Sequence, residues 1–506
     1  MNYRILYSKS FRAIIPCFLI LMIQGQAWCQ SSVHLGQGIM SGEINTTSVI
    51  LQTRLTASEE MRDGELLGVD GVGRFEVSQD EGFSQVVQSQ FIKAEPSHDY
   101  IIKTKIEGLS PNTHYYYRIQ YGDNANQLKT SPTGTFRTLS GPEDHSPISF
   151  VVVTGMNYHK FHYGNYERSQ AYAGEDKEEG YPALRAILES NTDYLIGTGD
   201  NVYFDHPVER NYQRAVKAGK NPHPGLFDGK EVTDEKGMRT KYHQQFSQQR
   251  FKDLFREVGT YWEKDDHDYR FNDADPFMDL PISHELGIKN FREQLPVISP
   301  DNPASETYRT FRMNADLQIW LVEGRDFRSA NDEEDGPNKT LWGHTQLEWL
   351  KSSLLSSDAT YKLLISPTPM VGPDDAYKKD NHVNHLGFRH EGDAFFKWLL
   401  DNDFLNKHFY IICGDRHWKY HARHPSGFEE FSCGALVDNN SRAGRLAGDP
   451  RSTDPDALIT QYFIEGTPEQ ASGGFLKVTV SRQGDKPMAL FEWMDENGVV
   501  LYKTVK

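Results

Sequence analysis

The sequence predicts a layered α/β domain preceded by an all-β sandwich. Three observations carry that reading. Between residues 30 and 141, turn-separated alternating runs follow one another without a helical period. From residue 148 onward, near-continuous β-branched runs alternate with amphipathic helical stretches, the pattern of strands buried on both faces. Four of those runs end in bursts of polar residues, where open α/β sheets present their ligands: Met156-Asn157, Asp200, Glu323-Gly324-Arg325 and Asp415-Arg416-His417.

At 506 residues the chain is too long for one ordinary domain. Residues 1–29 read as a signal peptide. Arg4, Lys9 and Arg12 form a positive start, and Ala13 to Ile23 an apolar stretch too short to cross a bilayer core of ~30 Å. Ala27 and Cys29 have the spacing of a cleavage site, and bulky Trp28 argues against a lipid anchor on Cys29. The start has no Arg-Arg pair, so general secretion and a periplasmic or secreted location are expected. A formal charge of −17 excludes nucleic-acid backbones and anionic lipid surfaces as electrostatic partners. A phosphate-bearing substrate would then need local positive charge from metals or arginines. Of the 4 Cys, Cys17 and Cys29 lie in the leader; Cys413 ends an apolar run and reads as a small buried residue. A Cys413–Cys433 disulfide stays open at this stage.

The sandwich, residues 30–141, starts with Thr47–Leu55, Phe75–Ser78 and Val86–Ile92. Its end, Leu109-Ser-Pro-Asn-Thr-His-Tyr-Tyr-Tyr and then Gly134–Thr138, resembles the closing strands of fibronectin type III-like or immunoglobulin-like sandwiches. We read it as a spacer without chemistry. Gly141–Pro147 is a linker by composition. The second domain, residues 142–506, opens with the strand Ile148–Thr154. A helix at 181–189 leads into a strand at 193–198, and Thr345-Gln-Leu-Glu348 has the form of a capping box for the next helix. Strands follow at 361–365, 408–413, 475–480 and 489–493, with a helix at 392–400. Residues 206–260 are polar and poor in strand signals, and an insertion or lid is expected there.

Asp200, Tyr203 and Asp205 stand within six residues after the strand at 193–198. Asp265, Asp266, His267, Asp268, Asn272, Asp273 and Asp275 crowd a second segment. So many carboxylates repel one another unless cations neutralise them, and oxygen-rich sets suit hard cations. Two cations a few ångströms apart can clamp the attacking and leaving oxygens of a phosphoryl transfer.

Gly199-Asp-Asn-Val-Tyr-Phe-Asp205, Asp265-Asp-His-Asp-Tyr-Arg-Phe-Asn-Asp273 and Gly414-Asp-Arg-His417 resemble the three motifs of the alkaline phosphatase D (PhoD-like) metallophosphoesterases. Gly324-Arg-Asp-Phe-Arg328 and Gly343–Leu350 are supporting matches, and the resemblance covers nearly the whole mature chain. It implies a two-sheet calcineurin-like metallophosphoesterase sandwich with flanking helices. It further implies an exported enzyme hydrolysing phosphate mono- or diesters with a metal-activated hydroxide at a dinuclear or multinuclear site. Asp200 would bridge two metals and Tyr203 bind one as a phenolate; Asp415 and His417 would complete the cluster. Asp266 or Asn272 would reach the second metal. His267 would sit beside the phosphate as proton donor to the leaving group or stabiliser of its charge. On physical grounds Arg325 and Arg328 could supply a bidentate clamp on phosphate oxygens, and Asn157 or water would fill the ligand place at the first strand end. The family's metals are Fe³⁺ and Ca²⁺. Met156, however, stands where the family places a Cys ligand, and a neutral thioether is a poor partner for Fe³⁺. The expected substrate is a phosphoester small molecule or a phosphorylated polymer or lipid, and the expected state a monomer. Two alternatives stand beside this reading: a phosphodiesterase or phospholipase D-like hydrolase of the same fold, and an inactive surface protein binding glycan or protein.

Overall fold

The computed structural model describes Met1 and residues 33–166, 170–466 and 471–506. Apart from Met1, the expected signal segment lies outside the described residues. Two large sheets form the body. The first has nine strands, in spatial order Val500–Val505, Lys486–Asp495, Gly474–Gln483, Ile148–Val153, Tyr194–Thr198, Gly259–Glu263, Ile39–Gly42, Ser48–Arg54 and Ile101–Glu107. The second has seven: Arg309–Arg312, Leu317–Leu321, Tyr361–Ser366, Phe409–Cys413, Glu429–Cys433, Lys419–Arg423 and Thr460–Ile464.

Strand alternation explains how the sheets pack. Phe150, Val152, Ile196 and Leu476 of the first sheet face Ile319, Leu363, Ile365 and Ile412 of the second, forming the core between them. The opposite faces carry Val151, Val153 and Leu195 against Leu184, Ile187, Tyr242, Phe246 and Leu254 of the helices outside. Trp320, Leu364 and Ile411 likewise meet Leu350, Leu354, Phe395 and Leu399. Both faces of each central strand are therefore covered, which is why these runs are apolar throughout.

The helix Pro182–Glu189 begins with proline, whose missing N–H costs nothing at that position. The helix His344–Ser356 starts at His344 after Gly343, so the expected Thr345 capping box is not used. The expectation of a lid over 206–260 is corrected. Glu235–Phe246, capped by Asp234, and Gln249–Glu257 bury Met238, Tyr242, Phe246, Phe251 and Phe255 in the helical layer behind the first sheet. The helix Glu209–Lys217 and the turns after it, to residue 230, remain largely exposed or half-buried. The strand Gly259–Glu263 follows directly, hidden from a pattern search because it is short and preceded by polar helices.

The N-terminal strands form a sandwich that is fused to the first sheet. Ile39–Gly42, Ser48–Arg54 and Ile101–Glu107 extend that sheet, with Gly42 paired in parallel with Thr260. A separate six-stranded sheet faces them, and Phe75, Val77, Tyr117, Ile119 and Phe136 pack onto Val49, Leu51 and Ile102. In the Leu109–Tyr115 segment, the Ser110 backbone N–H donates to the Tyr115 hydroxyl at 2.8 Å, tying the tyrosine back to the preceding turn. Cys413 and Cys433 are both buried free thiols, so the disulfide left open above does not form. No helix among the described residues is long and apolar enough to cross a membrane.

Candidate metal centre

The carboxyl ends of the two sheets converge. Thr154 and Ala435 form a parallel bridge between them, and Gly414 lies against Thr198 so closely that a Cβ would meet its Oγ1 at 2.5 Å. The glycine of the last motif is thus required by a close approach. Gly199 is required twice over: its φ is +87°, and a Cβ there would meet the Asp265 backbone nitrogen at 2.4 Å. Asp200 and Asp415, the residues after these two turns, themselves adopt φ of 56° and 55°. Asp268 then staples the loops, accepting from the backbone N–H groups of Asp200 at 3.1 Å and Asp265 at 2.8 Å.

Asp200, Tyr203 and His417 come together as one pole. Tyr203 donates its hydroxyl proton to Asp200 Oδ2 at 2.6 Å, and His417 Nε2 lies 2.8 Å from the same oxygen and 3.2 Å from the phenol. The Asn440 amide donates to the Tyr203 hydroxyl at 2.8 Å. The second pole holds Asp266, Asp273 and Asp380, with ligand atoms within 4.8 Å of one another; Asp200, Asp266 and His267 form an overlapping group of the same kind. Asp415 joins through Lys378, whose Nζ is 3.6 Å from Asp415 Oδ1.

Electrostatics fits this set to cations. Asp200 Oδ1, Asp415 Oδ2 and both oxygens of Asp380 are buried without a hydrogen-bond partner. Leaving such oxygens unmatched costs about 1–3 kcal/mol each, more when charged. Burial, reinforced by Asp266 and Asp415 against the pull of His267, pushes Asp200 up to about 7. Burial and the Asp273 carboxylate push Asp380 up to about 6. A bound cation reverses both effects. Burial, with Arg442 and Lys160 nearby, holds the His417 ring well below the usual histidine range, keeping it in the neutral form that ligates metals. The residues present therefore fit a multi-cation centre of hard oxygen ligands with one imidazole.

His267 differs. Its Nδ1 pairs with Asp205 Oδ1 at 2.7 Å. Burial pulls its pKa down, but Asp205, Asp266 and Asp200 more than reverse this and hold it well above the usual range. It is a proton-bearing imidazole at the edge of the cluster.

Four expected residues, Asn272, Arg325, Arg328 and Asn157, are placed differently. Asn272 is exposed and only its backbone N–H reaches the site, donating to Asp205 Oδ2 at 2.9 Å. The left-handed turn at Asp273, φ 55°, brings that carboxylate in instead. Arg325 is fully enclosed: its Nε and Nη2 donate to Asp265 Oδ1 at 2.8 and 2.5 Å, and Nη1 to the Ala274 carbonyl. It supports the loop from behind and does not face a substrate. Arg328 is buried too, bonded to the Gly324 and Asp380 carbonyls. Asn157 caps the helix Tyr158–Tyr163 through Lys160 N–H and contacts His206 Nδ1 at 3.1 Å, while Met156 is packed in the apolar helical layer. His382, buried against Glu391, is a structural residue of the neighbouring loop. Asp205 as a partner of His267, Asp273 and Asp380 as ligands, and Lys378 were not found from sequence. For Asp205 and Asp273 the signal was their place inside the motifs; Asp380 and Lys378 lie in a loop without one.

Comparison with known proteins follows the same lines. The family model of PhoD-like phosphatases matches residues 150–474, and the model of the PhoD-like phosphatase N-terminal domain matches residues 24–140. Alkaline phosphatase D of Bacillus subtilis (strain 168) is 25% identical over 356 residues, which is 66% of this chain and 56% of that protein. The solved structure of PhoD superposes with a TM-score of 0.67 at 20% identity, covering 94% of this chain and 89% of the other. Purple acid phosphatase PPD1 from yellow lupin (Lupinus luteus) seeds gives 0.56 at 12% identity, covering 92% and 73%. At these identities the two structures speak to the fold alone. The first family model alone accounts for well over half of the sequence, and the chain belongs to the PhoD-like phosphatase family.

Proposed function

We propose that the chain is an exported, metal-dependent phosphoesterase that hydrolyses phosphate mono- or diesters at a paired-cation centre. The observation that carries this reading is the convergence of Asp200, Tyr203, Asp266, Asp273, Asp380, Asp415 and His417, with buried carboxylate oxygens that have no hydrogen-bond partner. Asp200, Tyr203 and His417 would hold one cation, and Asp266, Asp273, Asp380 and Asp415 would hold another. Bound there, the cations would neutralise phosphoryl oxygens and acidify water.

The protein's own groups do the rest. Water forms the new bond to phosphorus as the ester P–O bond breaks. His267, held by Asp205 through Nδ1, has Nε2 free to pass its proton to the departing oxygen. Arg442 is tied to His417, its backbone N–H donating to the His417 carbonyl at 3.0 Å, while its side chain, 38% exposed, lies over the Trp418 ring and 3.9 Å from Asp375 Oδ2. Iron in the Tyr203 pole and calcium in the carboxylate pole match the donor types, although Met156 supplies no thiolate. The leader pattern at residues 1–29 supports export.

The test is hydrolysis of p-nitrophenyl phosphate and its bis ester by the metallated protein. Activity on either, abolished by chelator, is expected, and Asp200→Ala should lose both activity and metal. A fully metallated protein inactive on both esters would overturn the reading.

A further inference from the structure

We propose that Lys378 acts as a built-in cation, its ammonium holding a carboxylate-lined position that would otherwise take a further metal ion. This rests on the metal-centre reading above. Lys378 Nζ lies 3.0 Å from Asp273 Oδ1, 3.7 Å from Asp380 Oδ1 and 3.6 Å from Asp415 Oδ1. Asp273 and Asp380 also belong, with Asp266, to the group whose ligand atoms lie within 4.8 Å of one another. The ammonium therefore shares three of the carboxylates given above to the second cation and stands where a further ion beside it would be held.

Its surroundings leave it little else to do. The side chain is buried, and Asp380 offers it two oxygens that no hydrogen bond satisfies. Of the other cations near these carboxylates, Arg325 is 3.7 Å from Asp380 Oδ2 and 4.0 Å from Asp266 Oδ2 with its donors committed to Asp265 and Ala274, and Arg416 is 3.5 Å from Asp415 Oδ2 but pairs with Asp374 at 2.5 Å. The neighbouring Lys379 points away and pairs with exposed Asp332 at 2.7 Å. A lysine ammonium is a compact point charge with three donors, the side-chain group closest to a small cation in shape. Being covalently attached, it cannot be stripped by chelator, and carrying a single charge it leaves the pocket more negative than a divalent ion would.

The experiment compares the full-length wild type with Lys378→Met and Lys378→Arg by elemental analysis and by calorimetric titration of metal-stripped protein with calcium chloride. Wild type and Lys378→Arg are expected to hold two cations per chain. Lys378→Met is expected to take up one additional calcium and to gain thermal stability with added calcium, a gain the wild type does not match. A third cation in the wild type, or equal stoichiometry in wild type and Lys378→Met, overturns the proposal. Should Lys378→Met fold only with calcium present, the proposal is supported; should it fold under no condition, the wild-type count of two or three decides. A wild type without any bound metal and without hydrolysis would instead sink the phosphoesterase reading itself.

Discussion

Replacing Arg325 with alanine separates two roles that the sequence alone confuses. A substrate clamp would lose affinity and keep its fold. The structure points the other way. Arg325 is fully buried, makes two charge-assisted bonds to Asp265 Oδ1 and one bond to the Ala274 carbonyl, and its removal leaves the Asp265 carboxylate enclosed with its counter-charge gone. Asp265 Oδ2 already has no hydrogen-bond partner, so nothing nearby can absorb the loss. Breaking a buried pair in this way costs about 3–5 kcal/mol. The assay is urea unfolding followed by tryptophan fluorescence, with Trp262, buried on the strand that runs into Asp265, as a reporter. A double variant, Arg325→Leu with Asp265→Leu, should cost less than the sum of the single changes, since it removes the stranded charge along with the cation. An unchanged unfolding midpoint together with a raised KM would refute the argument and restore Arg325 as a substrate contact.

Other expectations are narrower. His267→Gln should lower kcat by about 10²–10⁴-fold, the range for losing a proton donor, with metal content unchanged; loss of metal would make it a ligand. Gly199→Ala should destabilise by about 1–3 kcal/mol through the clash with Asp265, and should deplete bound metal because Asp266 moves with it; a thermal scan and elemental analysis check both. Acid should weaken the contact between the N-terminal sandwich and the helix Glu235–Phe246. Burial alone would raise Asp99 and Glu65, but His243, with Arg54 beside Asp99, holds both down at about 2. A depressed carboxylate stabilises above its unfolded value and loses that contribution as pH falls, here from about 4 to 2. For buried Asp99, a drop from 3.8 to about 2 corresponds to about 2 kcal/mol. Asp99→Asn should flatten that part of the stability curve, and an identical slope in the variant would disprove the linkage.

Much of the site was legible because its ligands follow strands whose apolar runs are visible. Asp200, Asp266, Asp415 and His417 each stand within four residues of a strand's end. What escaped depends on turns and on distant chain. Choosing Asp273 over Asn272 takes one residue of left-handed backbone, which composition does not announce. Asp380 and Lys378 arrive on a loop between Tyr361–Ser366 and Arg389–Asp401 that has no periodicity to mark it. Arg325 sits at a strand end like the ligands, and only the position of Asp265 reveals that it is spent on an internal pair. The helices at 235–257 were hidden for a related reason. Their polar residues are buried in a network with the N-terminal sandwich, His243 with Asp99 and Glu65 among them, so their exposed-looking composition misled.

The parallel pairing of Gly42 with Thr260 has a consequence for anyone who would trim this protein. Beside that contact, Thr260 Oγ1 donates to the Ser41 carbonyl and Tyr261 Oη to the Ile44 carbonyl. An excised fragment beginning near residue 142 would lay bare the flank of Gly259–Glu263, a row of main-chain donors and acceptors ready to zip onto another copy. That flank lies immediately upstream of Asp265–His267, so a shortened version would not merely lose an accessory module: it would clump, and it would do so through the very segment that shapes its chemistry.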